Sequence, residues 1–346
     1  MKLFEPDFFS SINFTPSKDF PITAPEITNF FNSKYSDKGK IKSISKLSGL
    51  NIDSDNYKLI TDSGEYLLKY WKFSNVARIN EICFILKSLN QMNLLVPFPL
   101  PSKSGSYFES FDDKYITLFN FIKGEFFSPQ ELDLPKYFES VNELFQGLGK
   151  IKTTKSPKKD LPDFEIMIKT VSQLFKSQSS LIQKFEKEFQ ELDKILPKLK
   201  FDSEYFRGSS RKFISQYCHN DLHPRNVLKV SANNFAFLDF DACEVSDPNF
   251  SWGFTLLKTL REVISSSNES IDPVNLGIKV IQDISKLTYS SKLDVDHLPI
   301  YGRMEIMRRL VYIIKDFQSN EYSVWLDMLP VQIKLLRESY VMFATN

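Results

Sequence analysis

The sequence predicts an α+β fold in two lobes, a small antiparallel β-sheet carrying one helix and then a larger, mostly helical region. Three observations predict it. Short runs rich in Tyr, Leu and Ile crowd the first third of the chain, apolar residues at helical spacing dominate after residue 124, and "KGE" at 123–125 breaks one pattern from the other. At 346 residues the chain suits two lobes better than one core, and 42% hydrophobic content with 32 Phe supplies apolar material for both.

"TAPEITNFFNSKY" opens with Thr23, followed three residues later by Glu26, a capping-box pattern with Pro25 in the first turn, so a helix starts there. Residues 1–35 are read as an N-terminal extension containing the start of that helix. "SISKLSGLNI", "NYKLIT" and "EYLLKYW" follow as three strands, the last two joined by "DSG", a hairpin turn. In "VARINEICFILKSLNQ" the residues Val76, Ile79, Ile82, Cys83, Leu86 and Leu89 recur at helical spacing. "PFPLP" is a stiff, non-helical entry to two further strands, "SYFESF" and "YITLFNFI", which complete a lobe spanning 36–123. From 124 to 346 the pattern is helical, with a stripe of Phe185, Phe189, Leu192, Ile195 and Leu199 that predicts helix packing.

Composition excludes several functions. The formal net charge is +1, from 44 Lys and Arg against 43 Asp and Glu, so no global field recruits nucleic acid or an anionic membrane. No apolar run approaches membrane-spanning length, Glu5 and Asp7 interrupt the start where a signal peptide needs an apolar core, and no obligate protein partner is evident. Cys83, Cys218 and Cys243 form an odd, scattered set without paired spacing, which fits a reducing, cytoplasmic setting.

The densest chemistry lies in "CHNDLHPRNVL" at 218–228. A zinc pair from His219 and His223 would need one helical face and a Glu beside the first histidine. Asn220 stands there instead, and Pro224 biases His223 away from helical geometry. Phosphoryl transfer fits better. The following "NVLKVSANNFAFLDFDA" reads as a hairpin in which "VLKV" pairs with "FAFL" across a four-residue loop, setting Asn226 opposite Asp239. Opposed residues have Cβ atoms about 4.5 to 5.5 Å apart, near enough for an amide oxygen and a carboxylate to share a magnesium with ligand distances of about 2.1 Å. Asp221 faces the same spot from the loop upstream.

"HNDLHPRN" followed by "LDFD" resembles the aminoglycoside phosphotransferase and choline kinase-like superfamily of small-molecule kinases, which share the protein-kinase-like fold; the resemblance spans about residues 40–265. It implies ATP or GTP as phosphate donor, Mg2+ as cofactor, a nucleotide-binding lobe at 36–123 and a helical lobe carrying the acceptor site. His219, Asp221 and Asn226 match the catalytic loop, with Asp221 as the base and His219 tethering the loop. Asp239 matches the metal-binding aspartate, and Asp241 would hold a second metal or face solvent. Lys69 matches the strand lysine that grips the phosphates and Glu81 the helix glutamate that orients it. Ser48 and Gly49 in "KLSGLN" would form the phosphate-covering turn, and Asn120 and Phe121 in "LFNFIKG" the linker whose backbone holds the purine.

Only "FDACEVSDPNF" separates Asp239 from the next helix, too little chain to bind a polypeptide, so the implied acceptor is a small hydroxyl compound such as a sugar, an amino sugar, choline or homoserine. One departure from the family pattern stands out: Ser251 occupies the position of an aspartate that braces the catalytic loop. The alternative reading is a nucleotide-binding pseudokinase with a regulatory or scaffolding role.

Overall fold

A computed structural model describes residues 22–47, 54–153, 164–177, 183–208, 214–267, 270–319 and 325–344. Contacts divide the chain into two units. Among the described residues, those from 22 to 125 and from 228 to 241 form one, and those from 126 to 227 and from 242 to 344 form the other. The hairpin that follows the catalytic loop therefore belongs with the sheet unit, although in sequence it lies deep inside the helical region.

The sheet unit starts with α1 (Ala24–Tyr35), whose capping box forms between Thr23 and Glu26 as the sequence predicts. The sequence pattern sets α1 apart as an extension. In the structure its stripe of Ile27, Phe30, Phe31 and Tyr35 is buried in one core with Tyr57, Leu59, Leu68 and Leu118 of the sheet. The i, i+3, i+4, i+8 spacing gives the helix an apolar face that needs a partner, and the sheet supplies it. The strands are β1 (Ile41–Leu47), β2 (Ser54–Thr61), β3 (Glu65–Trp71), β4 (Pro99–Leu100), β5 (Glu109–Phe111) and β6 (Lys114–Asn120). They form an antiparallel sheet in the order β1-β2-β3-β6-β4, with β5 on β6. Helix α2 (Val76–Gln91) follows β3; of its predicted stripe Ile79, Ile82, Cys83, Leu86 and Leu89 are buried, whereas Val76, the first residue of the helix, is exposed. The "DSG" turn closes as expected, with Thr61 N–H donating to the Gly64 carbonyl at 2.8 Å. Beyond β7 (Glu125–Phe126), the sheet unit also holds most of a hairpin of β9 (Val227–Ser231) and β10 (Asn234–Phe237), tied in by Phe237 N–H to the Leu95 carbonyl at 2.9 Å. Its turn is two residues, Ala232 and Asn233, not the four expected, because Ser231 and Asn234 continue the strands.

The helical unit contains α3 (Leu134–Lys150), α4 (Phe164–Ser177), α5 (Glu186–Gly208), α6 (Pro248–Ser266), α7 (Pro273–Ser285), α8 (Leu298–Ser319) and α9 (Leu329–Met342). A two-stranded ribbon pairs β8 (Gln216–Cys218) with β11 (Glu244–Ser246). The α5 stripe behaves as packing: Leu192, Ile195 and Leu199 are buried. Helices α6 and α8 cross where both carry a glycine. A Cβ on Gly253 would overlap the Gly302 backbone and the Leu298 carbonyl, so only glycine allows this approach. Two ion pairs are buried inside the unit, Arg261 with Glu338 and Arg303 with Asp202, the latter at 2.6 Å. Cys83, Cys218 and Cys243 are all buried, and none of them is in a disulfide. Among the described residues no helix is long and apolar enough to cross a membrane.

Candidate active site

The loop that the sequence marks as catalytic leaves the ribbon at Cys218 and reaches the short 3-10 turn Pro224–Asn226. His219 beneath it is fully buried. Asn220 adopts φ 59°, the left-handed region that Asn tolerates better than most residues, and four hydrogen bonds hold it there. Its N–H donates to Ser251 Oγ at 3.1 Å and its Nδ2 to the Ala242 carbonyl at 3.3 Å, while its Oδ1 accepts from Ser246 Oγ at 3.0 Å and its carbonyl from Arg309 Nη2 at 2.5 Å. Ser251 thus braces the loop through a neutral hydroxyl, four residues before Thr255, whose hydroxyl donates to the Leu222 carbonyl at 3.0 Å.

This anchoring turns Asp221 outward. Its side chain is 31% exposed, and Oδ1 accepts from Arg309 Nη1 at 2.8 Å. Desolvation alone would raise the carboxyl, but the Arg309 guanidinium outweighs it and holds the group below its ordinary value. His223 Nε2 lies 3.7 Å from Asp221 Oδ2. Burial pushes that imidazole down to about 3 against the pull of Asp221, and Lys258, Arg309 and Arg225 push the same way, so it is neutral at pH 7. Asn226 Nδ2 donates to the Asp221 carbonyl at 2.9 Å. That bond fixes the amide's orientation and leaves its oxygen, the atom a hard cation takes, turned from the Asp221 carbonyl.

In the sheet unit, Lys69 on β3 is buried, its ammonium 4.2 Å from the Trp71 ring centre. It donates to both oxygens of Asp241 at 2.5 and 2.6 Å. Arg78 on α2 closes the arrangement: Nη1 bonds Glu81 at 2.8 Å and Nη2 the Asp241 carbonyl at 2.6 Å. The structure therefore brings Lys69 together with Asp241, the residue expected at a second metal or in solvent, and gives Glu81 to Arg78. Asp239 has φ 59°, a left-handed conformation just before the 3-10 turn Phe240–Ala242. The backbone N–H groups of Asn120 and Phe121 are taken by the carbonyls of Phe98 and Glu65 at 3.1 and 3.3 Å, so any purine contact at these two residues falls to their carbonyls. Ser48 and Gly49 lie outside the described residues. Asn226 and Asp239 offer the oxygen donors that Mg2+ prefers; among the described residues, no group of three or more His, Cys, Asp or Glu side chains is arranged to hold a metal.

Arg309 and Arg78 are absent from the sequence-level site. Arg78 lies among the residues that the helical pattern leaves off the apolar stripe of α2. Arg309 belongs to "MRRLVY", 88 positions beyond Asp221, where nothing in local spacing points back to the loop.

The profile of the phosphotransferase enzyme family matches residues 45–256, more than half of the chain. The chain belongs to that family. The match covers Lys69, Asp221, Asn226 and Asp239 and ends before α8. Solved structures share the protein-kinase-like fold. A spectinomycin phosphotransferase in complex with ADP and spectinomycin superposes with a TM-score of 0.62 at 15% identity, covering 92% of this chain and 100% of its own. An amicoumacin kinase bound to AMP-PNP and Ca2+ gives 0.63 at 13%, covering 94% and 96%. An aminoglycoside phosphotransferase from Alicyclobacillus acidocaldarius gives 0.57 at 12%, covering 93% and 95%. No curated protein matches the sequence. This phosphotransferase is thus similar in fold to enzymes of low sequence identity.

Proposed function

We propose that this phosphotransferase moves the terminal phosphate of ATP or GTP to a hydroxyl of a small molecule, with Asp221 as the base. The observation that carries the reading is the state of Asp221, an outward-facing carboxylate that Arg309 holds ionised on a loop pinned at Asn220. Asp221 takes the proton of the acceptor hydroxyl as its oxygen bonds the terminal phosphorus, and the bond from that phosphorus to the bridging oxygen breaks, releasing the nucleoside diphosphate. Phosphoryl transfer has a loose transition state, so positioning and charge neutralisation dominate. Asn226 and Asp239 are the residues that would hold Mg2+, which when bound neutralises charge on the phosphates. Lys69 and its sheet lobe bind the nucleotide, and the helical lobe binds the acceptor.

The acceptor is small. The chain runs from Asp239 through one 3-10 turn and the three-residue β11 directly to Asp247, which caps α6, leaving no long segment to seat a polypeptide. Arg225, Lys258 and Arg309 all act on His223 beside the base. The carboxylates of Asp221 and Glu305 pair with Arg309 and offset its charge, so the acceptor class stays broad: a sugar, an amino sugar or an amino alcohol such as choline or homoserine. The test is an acceptor screen with ATP or GTP and Mg2+, read by nucleoside diphosphate release above the rate with water. No release with any alcohol or sugar would overturn the kinase reading.

A further inference from the structure

Arg309 sits on α8, beyond the segment that the family profile covers, yet its guanidinium is held at all three nitrogens and on one face. Nε donates to Glu305 Oε1 at 3.0 Å, one turn back on the same helix, and Glu305 is itself 5% exposed and doubly bonded by Arg308 at 2.7 Å. The face of the guanidinium lies 3.8 Å from the ring centre of Phe254 on α6, which is 1% exposed. With one edge and one face held, the remaining nitrogens point in a set direction, Nη1 to Asp221 Oδ1 and Nη2 to the Asn220 carbonyl. A planar fork suits this two-point grip in a way that a lysine ammonium cannot reproduce.

The two bonds do different things. The bond to the Asn220 carbonyl opposes the bond from the Asn220 N–H to Ser251, so that residue's backbone is gripped from α6 on one side and α8 on the other. The bond to Asp221 occupies Oδ1. Oδ2 keeps only longer contacts, 3.5 Å to Asn226 Nδ2 and 3.7 Å to His223 Nε2. One carboxylate oxygen is thus committed to the scaffold and the other is presented.

We propose that Arg309 is the positioning residue of this phosphotransferase, a clamp from the last third of the chain that fixes the catalytic loop and aims Asp221 Oδ2 at the acceptor hydroxyl. The role rests on the reading of Asp221 as the base. A cation reaching the loop through a guanidinium–aromatic stack adds the charge that the neutral brace at Ser251 lacks.

The test uses the full chain and three variants, Arg309→Met, Arg309→Lys and, as control, Arg308→Met, whose guanidinium bonds Glu305. Hydrogen–deuterium exchange of the peptide covering 219–226 reads the clamp directly. Phosphate release from magnesium ATP with water as acceptor reads transfer, and calorimetry with AMP-PNP reads nucleotide binding. Arg309→Met is expected to speed exchange in 219–226 about tenfold, and a misplaced base lowers kcat for phosphate release by about 10²-fold with AMP-PNP affinity unchanged. Arg309→Lys is expected to restore part of kcat, since it returns one of the two bonds. Unchanged exchange in 219–226, or equal losses in Arg308→Met, would overturn the clamp. If the parent releases no phosphate to water, the kinase reading stands or falls on the acceptor screen, and the exchange arm still decides whether Arg309 holds the loop.

Discussion

Lys69 Nζ stands 2.5 and 2.6 Å from the two oxygens of Asp241, a part-buried pair joining strand β3 to the segment after the β9–β10 hairpin. Each partner satisfies the other in a poorly hydrated place, and Arg78 locks the Asp241 backbone beside them. A lysine so placed is poised to exchange its carboxylate for phosphate oxygens. Lys69→Ala is expected to weaken nucleotide binding by about 10-fold or more, the scale of a charge-assisted hydrogen bond, without loss of the fold. Lys72 is the control: 40% exposed and 3.4 Å from Asp55, it is expected to tolerate alanine. Calorimetric titration of both variants decides, and damage from Lys72→Ala alone would mean that the strand register toward the nucleotide is misassigned.

Asp221→Asn keeps the shape of the side chain and removes the group that accepts the proton. Its turnover is expected to fall by about 10²-fold or more, the usual scale for a positioned acid or base, while metal-dependent nucleotide affinity stays. A variant that turns over like the parent would leave Asp221 without its assigned role.

Removing divalent metal with a chelator is expected to weaken nucleotide affinity, because the phosphates would then crowd the Asp239 carboxylate unneutralised. In Asp239→Asn the dependence on Mg2+ is expected to shrink. Equal nucleotide affinity of the parent with and without metal would take the metal role from Asn226 and Asp239.

Much of this fold is legible in the sequence because its signals are local. The capping box at Thr23, the "DSG" turn and the stripe of α2 each specify an element within a few residues, and each forms as the pattern says. The family motifs are legible for the same reason, since "HNDLHPRN" and "LDFD" are compact and both lie inside the matched segment. Non-local choices are not. That Lys69 meets Asp241, 172 positions away, depends on where a hairpin docks, and Asp241 carries no local mark of it. Arg309 has no mark either, because a charged residue at the edge of an apolar helical pattern looks the same whether it faces water or a catalytic loop. The burial of α1 is intermediate: its apolar face is plain in the sequence, but the surface that covers it comes from strands as far away as Leu118.

The crossing of α6 and α8 underlies the loop geometry, since Ser251 and Phe254 stand on one helix and Arg309 on the other. Gly253 and Gly302 make that crossing close enough, and in each case the atoms that an added Cβ would meet include backbone of the opposite helix, which cannot rotate away. Ordinarily an alanine for glycine inside a helix gains about 1 kcal/mol of intrinsic propensity. Here the overlap opposes it, and overpacking a filled interior costs about 1–3 kcal/mol or more, so the net effect of Gly253→Ala is expected to be destabilising. Gly302→Ala is expected to behave alike, and because both substitutions push apart one contact, the double variant should lose less than the sum of the two. Urea unfolding measures the three stabilities. Separating the helices also draws Arg309 from Phe254, so exchange in 219–226 should quicken in both single variants. A stabilising Gly253→Ala with unchanged exchange in that segment would show that the helices do not need this approach to hold the loop.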